Sequence, residues 1–374
     1  MNIAPFAVEE WMNAWEEGAV YNIAETCVDS ISLTELATLI GEAPDVFAKG
    51  LMEQRMTYGH IVGAPDFKKG IASLYKTVTP KNIVPTHGAA GANHHIFLSL
   101  INPGDHVISV APTYQQLYAI PASMGAKVDI LRLKKENDYL PDLDELRKLM
   151  TPQTKMICLN NPNNPTGALM DKEILEEIVA IARENNAWVL CDEVYRHLSQ
   201  SDEWCPSIAD MYEKGISVSS MSKVFSLAGL RLGWIASKDT DVIANCLRHR
   251  DYNLISCGLL DEYIAGKALA HKDVLLARSR RIVRENLAIL DAWVAAETHV
   301  SYVKPKAGTT ALVQYDIAIP SYDLCEAMYK KTGAFVTPGD CFDEPYSFRI
   351  GYAYGTETLK KGLVAISEYF ADIE

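Results

Sequence analysis

The chain has 374 residues, 48% of them hydrophobic and 22% charged, the balance of a polypeptide that buries a core and not of a disordered one. At roughly 150 residues per domain this length suits two domains. The sum of 35 Lys and Arg against 48 Asp and Glu is -13, which repels phosphate backbones and anionic bilayers, so small molecules are the expected partners, with no nucleic acid and no membrane. The first basic residue is Lys49, so the N-terminus reads neither as a secretory leader nor as a mitochondrial presequence, and a cytoplasmic location is expected. No apolar run approaches the roughly 18 residues that a membrane span requires. The cysteines (Cys27, Cys158, Cys191, Cys205, Cys246, Cys257, Cys325 and Cys341) include no C-x-x-C pair, so neither a disulfide framework nor a zinc site is indicated.

Taken in chain order, short β-rich runs alternate with helical patterns between about 64 and 271. Strands are predicted at 106–111, 155–159, 187–191, 216–220 and 232–236, with helices at 114–124 and 171–185. In the second helix Ile174, Leu175, Ile178, Val179, Ile181 and Ala182 recur at helical spacing. From 272 a longer pattern carries Leu275, Ile282, Val283, Leu287, Leu290 and Trp293; about 22 residues of helix would span about 33 Å. Strands at 310–315 and 347–352 and helices at 322–331 and 356–370 follow. The expected fold is α/β, a mostly parallel sheet with helices on both faces plus a smaller α+β domain. The large domain would hold 41–271, and the small one 1–40 and 272–374, with a connecting helix starting near 272.

Three segments carry the chemistry. Ser219 to Gly233 places Lys223 among hydroxyls just past a predicted strand, with Arg231 eight positions on. Asn160-Asn161-Pro162-Asn163-Asn164-Pro165-Thr166-Gly167 and Asp192-Glu193-Val194-Tyr195 each follow another strand. Separately these read as a solvated lysine, a turn and a helix cap. Jointly they mark the carboxyl edge of a parallel sheet, where ligands bind in open α/β folds.

In this order and spacing the chain resembles the class I/II aminotransferases, fold type I enzymes that use pyridoxal phosphate (PLP). Further matching segments are Tyr58 to Gly63, Thr86 to Ala90, Pro103 to Asp105, Pro112 to Tyr114 and Phe348 to Ile350. The chemistry asks for an amine held down by burial and nearby cations, and the resemblance implies Lys223. It asks for a fixed carboxylate opposite the cofactor's ring nitrogen, implied to be Asp192, and for donors to the ring oxygen, implied to be Asn164 and Tyr195. Gly88, Ala89 and Ala90 at a helix head would cup the phosphate, joined by Ser220, Ser222 and Arg231. Tyr114 would stack on the ring. Tyr58 would reach the neighbouring subunit's phosphate, which implies a homodimer with shared active sites. Arg349 would grip the substrate carboxylate beside Asn164. An α-amino acid and a 2-oxo acid are the implied substrates, and the bonds before Pro112 and Pro165 are expected to be cis.

The chain departs from the family around Asn22 to Asp29, where Thr26 and Val28 replace the usual Gly and Pro. Glu25 and Asp29 there are read as solvated surface acids, with a cationic substrate group as the alternative. His87, His94 and His95 do not make a metal set. Two other enzyme readings stand beside amino transfer: a PLP-dependent carbon–sulfur lyase or β-eliminating or cyclising enzyme, whose residues would be the same, and an acyl-serine enzyme, since Ser220 to Lys223 fits S-x-x-K and Lys331-Thr332-Gly333 fits K-T-G. A ligand-sensing domain of the same fold lacks its expected basic DNA-binding module here.

Overall fold

The structure, a computed structural model, describes residues 2–373. Seven strands form the main sheet: β1 (Ile83–His87), β2 (His106–Ala111), β3 (Lys127–Arg132), β4 (Thr154–Asn160), β5 (Trp188–Asp192), β6 (Gly215–Ser220) and β7 (Leu232–Ser237), in the order β1-β7-β6-β5-β4-β2-β3. Neighbours are parallel except at β7, which runs antiparallel to both β1 and β6. Alternate residues of each strand feed opposite faces. Met156, Cys158 and Leu190 pack with Ile96, Phe97 and Cys246 on one side; Ile157, Leu159 and Val189 pack with Leu175, Ile178 and Ala182 on the other. Both faces are covered, so the expected α/β class holds, and strands such as β2 and β6 are buried throughout.

The helix Lys172–Glu184 starts where Asp171 Oδ1 accepts from the Ile174 N–H at 2.9 Å, and it buries the predicted apolar stripe. The long helix Lys272–Ala296 has 25 residues, about 37 Å at 1.5 Å per residue. Its Leu275, Val283 and Leu290 lie in one hydrophobic cluster with Phe67 and Trp234 beside the main sheet and with Phe348 and Phe370 further along the chain. A second, antiparallel sheet follows, with β8 (Val300–Tyr302), β9 (Thr310–Tyr315), β10 (Thr337–Pro338) and β11 (Ser347–Gly351) in the order β10-β11-β9-β8. The pair Tyr21–Asn22 adds in parallel to Ala334–Phe335, tying the N-terminal segment to this part of the chain.

The strands β1 and β3 were not among the predicted elements. They are the two edges of the sheet: β1 contains Pro85, and β3 carries the charged residues Lys127, Asp129 and Arg132, both devices of edge strands that blur the apolar signal. The bonds before Pro112 and Pro165 are cis, and so is the one before Pro162. Among the described residues no helix is long and apolar enough to cross a membrane.

Immediately after β5 the chain is locked by a buried ion pair, Glu193 Oε2 to Arg196 Nε at 2.9 Å. The same carboxylate accepts from Ser207 Oγ (3.0 Å), the Ile208 N–H (2.8 Å) and Ser217 Oγ (2.8 Å), while Arg196 lies over the Tyr75 ring. Removing one member strands the other's charge in the interior. Glu193→Ala should therefore cost about 3–5 kcal/mol in urea unfolding, whereas a double variant with apolar residues at 193 and 196 should recover much of that loss.

Candidate active site

The strand register brings the motif residues together. Asn160 pairs with Asp192, Ser220 with Gly233, and Gly233 with Thr86, so the ends of β1, β4, β5 and β6 and the start of β7 share one sheet edge. A cavity of about 330 Å³ opens there. Gly88, Ala89, Ala90, Tyr114, Asn164, Asp192, Tyr195, Ser220, Ser222, Lys223, Arg231 and Arg349 all line it. Tyr58 does not: it is 71% exposed on a loop of its own chain.

Asp192 is 3% exposed, and its carboxylate accepts from Asn93 Nδ2 and from the Val194 N–H, both at 3.2 Å. Burial pushes its carboxyl up to about 6, against those two donors and the Lys223 charge. A buried carboxylate held by neutral donors and facing a cavity suits a ring N–H that brings its own positive charge.

The helix Gly88–Leu100 begins at the end of β1, and its first-turn N–H groups have no intrahelical acceptor. Gly88 has φ +67°, a conformation open to glycine, and a Cβ on it would sit 3.3 Å from Arg231 Nη2. At Gly233 a Cβ would lie 2.3 Å from the Gly88 carbonyl carbon, so only glycine lets β7 carry the helix head this close. Ser220 and Ser222 are buried beside it. Free backbone donors, hydroxyls and a guanidinium at one helix N-terminus fit a phosphate, so the residue set fits PLP at both its ring nitrogen and its phosphate.

Lys223 Nζ donates to Thr26 Oγ1 at 2.6 Å and lies 3.7 Å from Cys27 Sγ. Burial pulls this amine down, but Cys27, Tyr195, Glu25 and Tyr114 around it outweigh burial and hold it above the usual lysine range. Acidic groups thus surround this amine where the sequence reading expected cations. Burial holds the Cys27 thiol up to about 11, so at neutral pH the negative charge on this side is that of Glu25.

The reading of Glu25 as a solvated surface acid is corrected too. It lines the cavity, and its Oε1 accepts from the N–H groups of Thr26 (2.7 Å) and Cys27 (2.8 Å). Burial pushes its carboxyl up, yet Lys223 and those donors hold it below the usual glutamate range. Asp29, by contrast, sits outside the cavity, 3.6 Å from Arg278.

Arg349, on β11, is 3% exposed. Its Nη1 donates to Asn164 Oδ1 (3.2 Å) and its Nη2 to Ala24 O (3.0 Å) and Thr337 Oγ1 (3.1 Å), leaving Nε without a partner. Tyr114 caps the opposite side, its hydroxyl donating to Glu9 Oε1 at 3.2 Å.

Several lining residues escaped the sequence reading. Val8, Glu9, Met12 and Glu16 come from the N-terminal helix Ala7–Trp15 and the turn after it. Asn93, which orients Asp192, lies one helical turn beyond Ala89; an amide following a run of Gly and Ala from Gly88 to Ala92 was the available signal. The S-x-x-K run leaves β6 in bends and heads no helix, and Lys331 and Thr332 line a different surface. Among the described residues no group of three His, Cys, Asp or Glu could hold a metal ion.

Comparison with known proteins agrees with this geometry. A crystal structure of a PLP-dependent aminotransferase from Streptococcus suis 89-1591 superposes with a TM-score of 0.97 at 46% identity, covering 100% of this chain and 99% of that one. An aspartate aminotransferase of Pyrococcus abyssi (strain GE5 / Orsay) is 30% identical over 380 residues, 94% of each chain. A capreomycidine synthase of Streptomyces vinaceus is 28% identical over 363 residues, 96% of this chain and 92% of its own. The pattern described as aminotransferase class I and II matches residues 30–366. The chain belongs to the class I and II aminotransferase family, and pyridoxal phosphate is its cofactor.

Proposed function

We propose that the protein moves the amino group of an α-amino acid to a 2-oxo acid. The observation that carries this reading is the convergence of Asp192, Lys223 and Arg349 on one cavity. The part of the chain at 41–271 holds the cofactor residues, and 1–40 with 272–374 supplies the substrate side. Bound there, PLP supplies an electron sink for negative charge developing at the substrate α-carbon.

Each residue has a task. Asp192 keeps the ring nitrogen protonated, and Asn93 keeps Asp192 pointed at it. Asn164 and Tyr195 donate to the ring oxygen, and Tyr114 covers the ring face. Gly88, Ala89 and Ala90 offer N–H groups to the phosphate, with Ser220, Ser222 and Arg231 completing its shell. Lys223 Nζ would tether the cofactor through its aldehyde and, once the substrate amine has taken its place, would be free to carry the proton at the substrate α-carbon. Arg349 grips the α-carboxylate, and its bond to Asn164 ties substrate orientation to the cofactor ring. Tyr58, turned out to solvent, serves the partner subunit's phosphate in a homodimer.

The relative named capreomycidine synthase favours a second reading, an eliminating or cyclising enzyme on the same residues. Products separate the two. Amino transfer gives a new amino acid only when a 2-oxo acid acceptor is present; without one, open elimination releases ammonia, and cyclisation converts the amino acid to a ring product with no ammonia.

Lys223→Ala should abolish the visible absorption band of the holoenzyme and slow amino transfer by about 10²- to 10⁴-fold, with circular dichroism unchanged. A second expectation concerns stability. Because the Asp192 carboxyl is raised from 3.8 to about 6, the folded state binds its proton more tightly than the unfolded chain does. Stability therefore falls as pH rises through that window, and the ionised group costs about 3 kcal/mol above it. In thermal melts, cofactor-free Asp192→Asn protein should be more stable than the parent near neutral pH, an advantage that vanishes below about pH 4, and it should retain PLP poorly. A third test addresses the dimer. Mixing inactive Lys223→Ala chains with Tyr58→Ala chains should restore activity, since the heterodimer contains one intact site; no recovery after subunit exchange would contradict the shared arrangement.

A further inference from the structure

Resting on the reading of the cavity as an amino-acid site, we infer that the substrate carries a cationic side chain, received by the carboxylates of Glu9, Glu16 and Glu25. The N-terminal helix supplies Glu9 and Met12, and the 3-10 turn that follows it supplies Glu16; all three line the cavity. Glu25 lines it from the following loop.

The charges of the wall decide the class of substrate. Its cations are Lys223, Arg231 and Arg349, and each has a partner in the proposed chemistry: the cofactor aldehyde, the phosphate and the substrate α-carboxylate. Asp192 serves the ring nitrogen. Among the lining residues of this chain three carboxylates remain and no cation, so on this wall a second substrate carboxylate would meet like charge, while an ammonium or guanidinium would meet opposite charge. Neutral donors fix two of these acids without cancelling them: Tyr114 OH bonds Glu9 Oε1, and Asn22 Nδ2 bonds Glu16 Oε1 at 3.1 Å.

Arg349 provides the independent anchor. Its guanidinium lines the cavity and is nearly fully buried, so an α-carboxylate would be received there in a bidentate pair. Glu25 and Glu9 both act on its guanidinium through space, so the acidic wall lies within electrostatic reach of the carboxylate clamp. One amino acid gripped at its α-carboxylate by Arg349 can thus present its side chain to the acids.

The test is a titration of the holoenzyme, followed by its visible absorption, with L-lysine, L-ornithine, L-arginine, the neutral L-norleucine and L-aspartate. At least one cationic amino acid should bind about 10- to 100-fold more tightly than norleucine, the factor expected of a charge-assisted hydrogen bond. Glu9→Gln and Glu16→Gln, checked by melting temperature, should shrink that ratio by weakening the cationic ligand while norleucine holds its affinity. Equal binding of norleucine, tighter binding of aspartate, or a cationic preference that survives both substitutions overturns the inference and leaves amino transfer standing. Silence toward every amino acid overturns both.

Discussion

The structure is organised around a carboxylate that water would hold more comfortably. Asp192 sits at the carboxyl end of an interior strand, under a sheet edge that excludes solvent, and its hydrogen-bond donors are an amide and a backbone N–H. An ion in such a place is unfavourable unless something positive faces it. Much of the surrounding architecture keeps it there. The pairing of β5 with β4 and β6 fixes its height along the sheet, the Glu193 network pins the turn that follows, and Asn93 reaches across from the helix behind the phosphate cup. The electrostatic strain of one residue is carried by three layers of packing, which is how folds commonly retain functional groups that oppose stability.

Local charge and global charge then have opposite signs of meaning. A chain of net charge -13 should be a poor host for phosphates and carboxylates, yet Arg231 and Arg349 both face the cavity. They come from distant parts of the chain, one at the start of β7 and the other on β11, and each lies next to backbone carbonyls that it helps to satisfy. What a ligand meets is the field of a few oriented groups in a partly dehydrated site, and the diffuse surface charge matters less at that range.

What the sequence disclosed follows the same physics. Interior strands such as β2 and β6 are buried on both faces and so appear as apolar runs, whereas β1 and β3, at the edges, carry the proline and charges that protect an edge and hide the strand. Residues placed just past strand ends, Lys223, Asp192 and Asn164, were legible because strand, turn and motif are contiguous. The wall from Glu9 to Glu25 was not. An amphipathic helix presents the same pattern whether its polar face meets solvent or a cavity, and nothing local to Glu25 reveals that Lys223, almost two hundred positions away, stands beside it. The acidic surroundings of Lys223 were hidden for the same reason, since Thr26, Cys27 and Glu25 lie at that separation.

The division of the cavity into two sources of residues also bears on how one family serves many substrates. The phosphate cup, Asp192 and Lys223 belong to the edge of the main sheet. Arg349 and the acidic helix belong to the other side: Trp11 donates to Val336 O at 2.9 Å and stacks near Phe335, Tyr21 pairs with Ala334, and Arg349 holds Ala24 O. Bonds that cross between the two sides include Asn164 with Arg349, Glu9 with Tyr114 and Lys223 with Thr26. On the proposed assignment, changing residues on the N-terminal helix would alter what the substrate's side chain meets without disturbing a strand end or the helix proposed to hold the phosphate. Cofactor chemistry, which would depend on the rigid sheet edge, would thereby be insulated from substrate choice, which would depend on a short helix packed mainly against the C-terminal part of the chain.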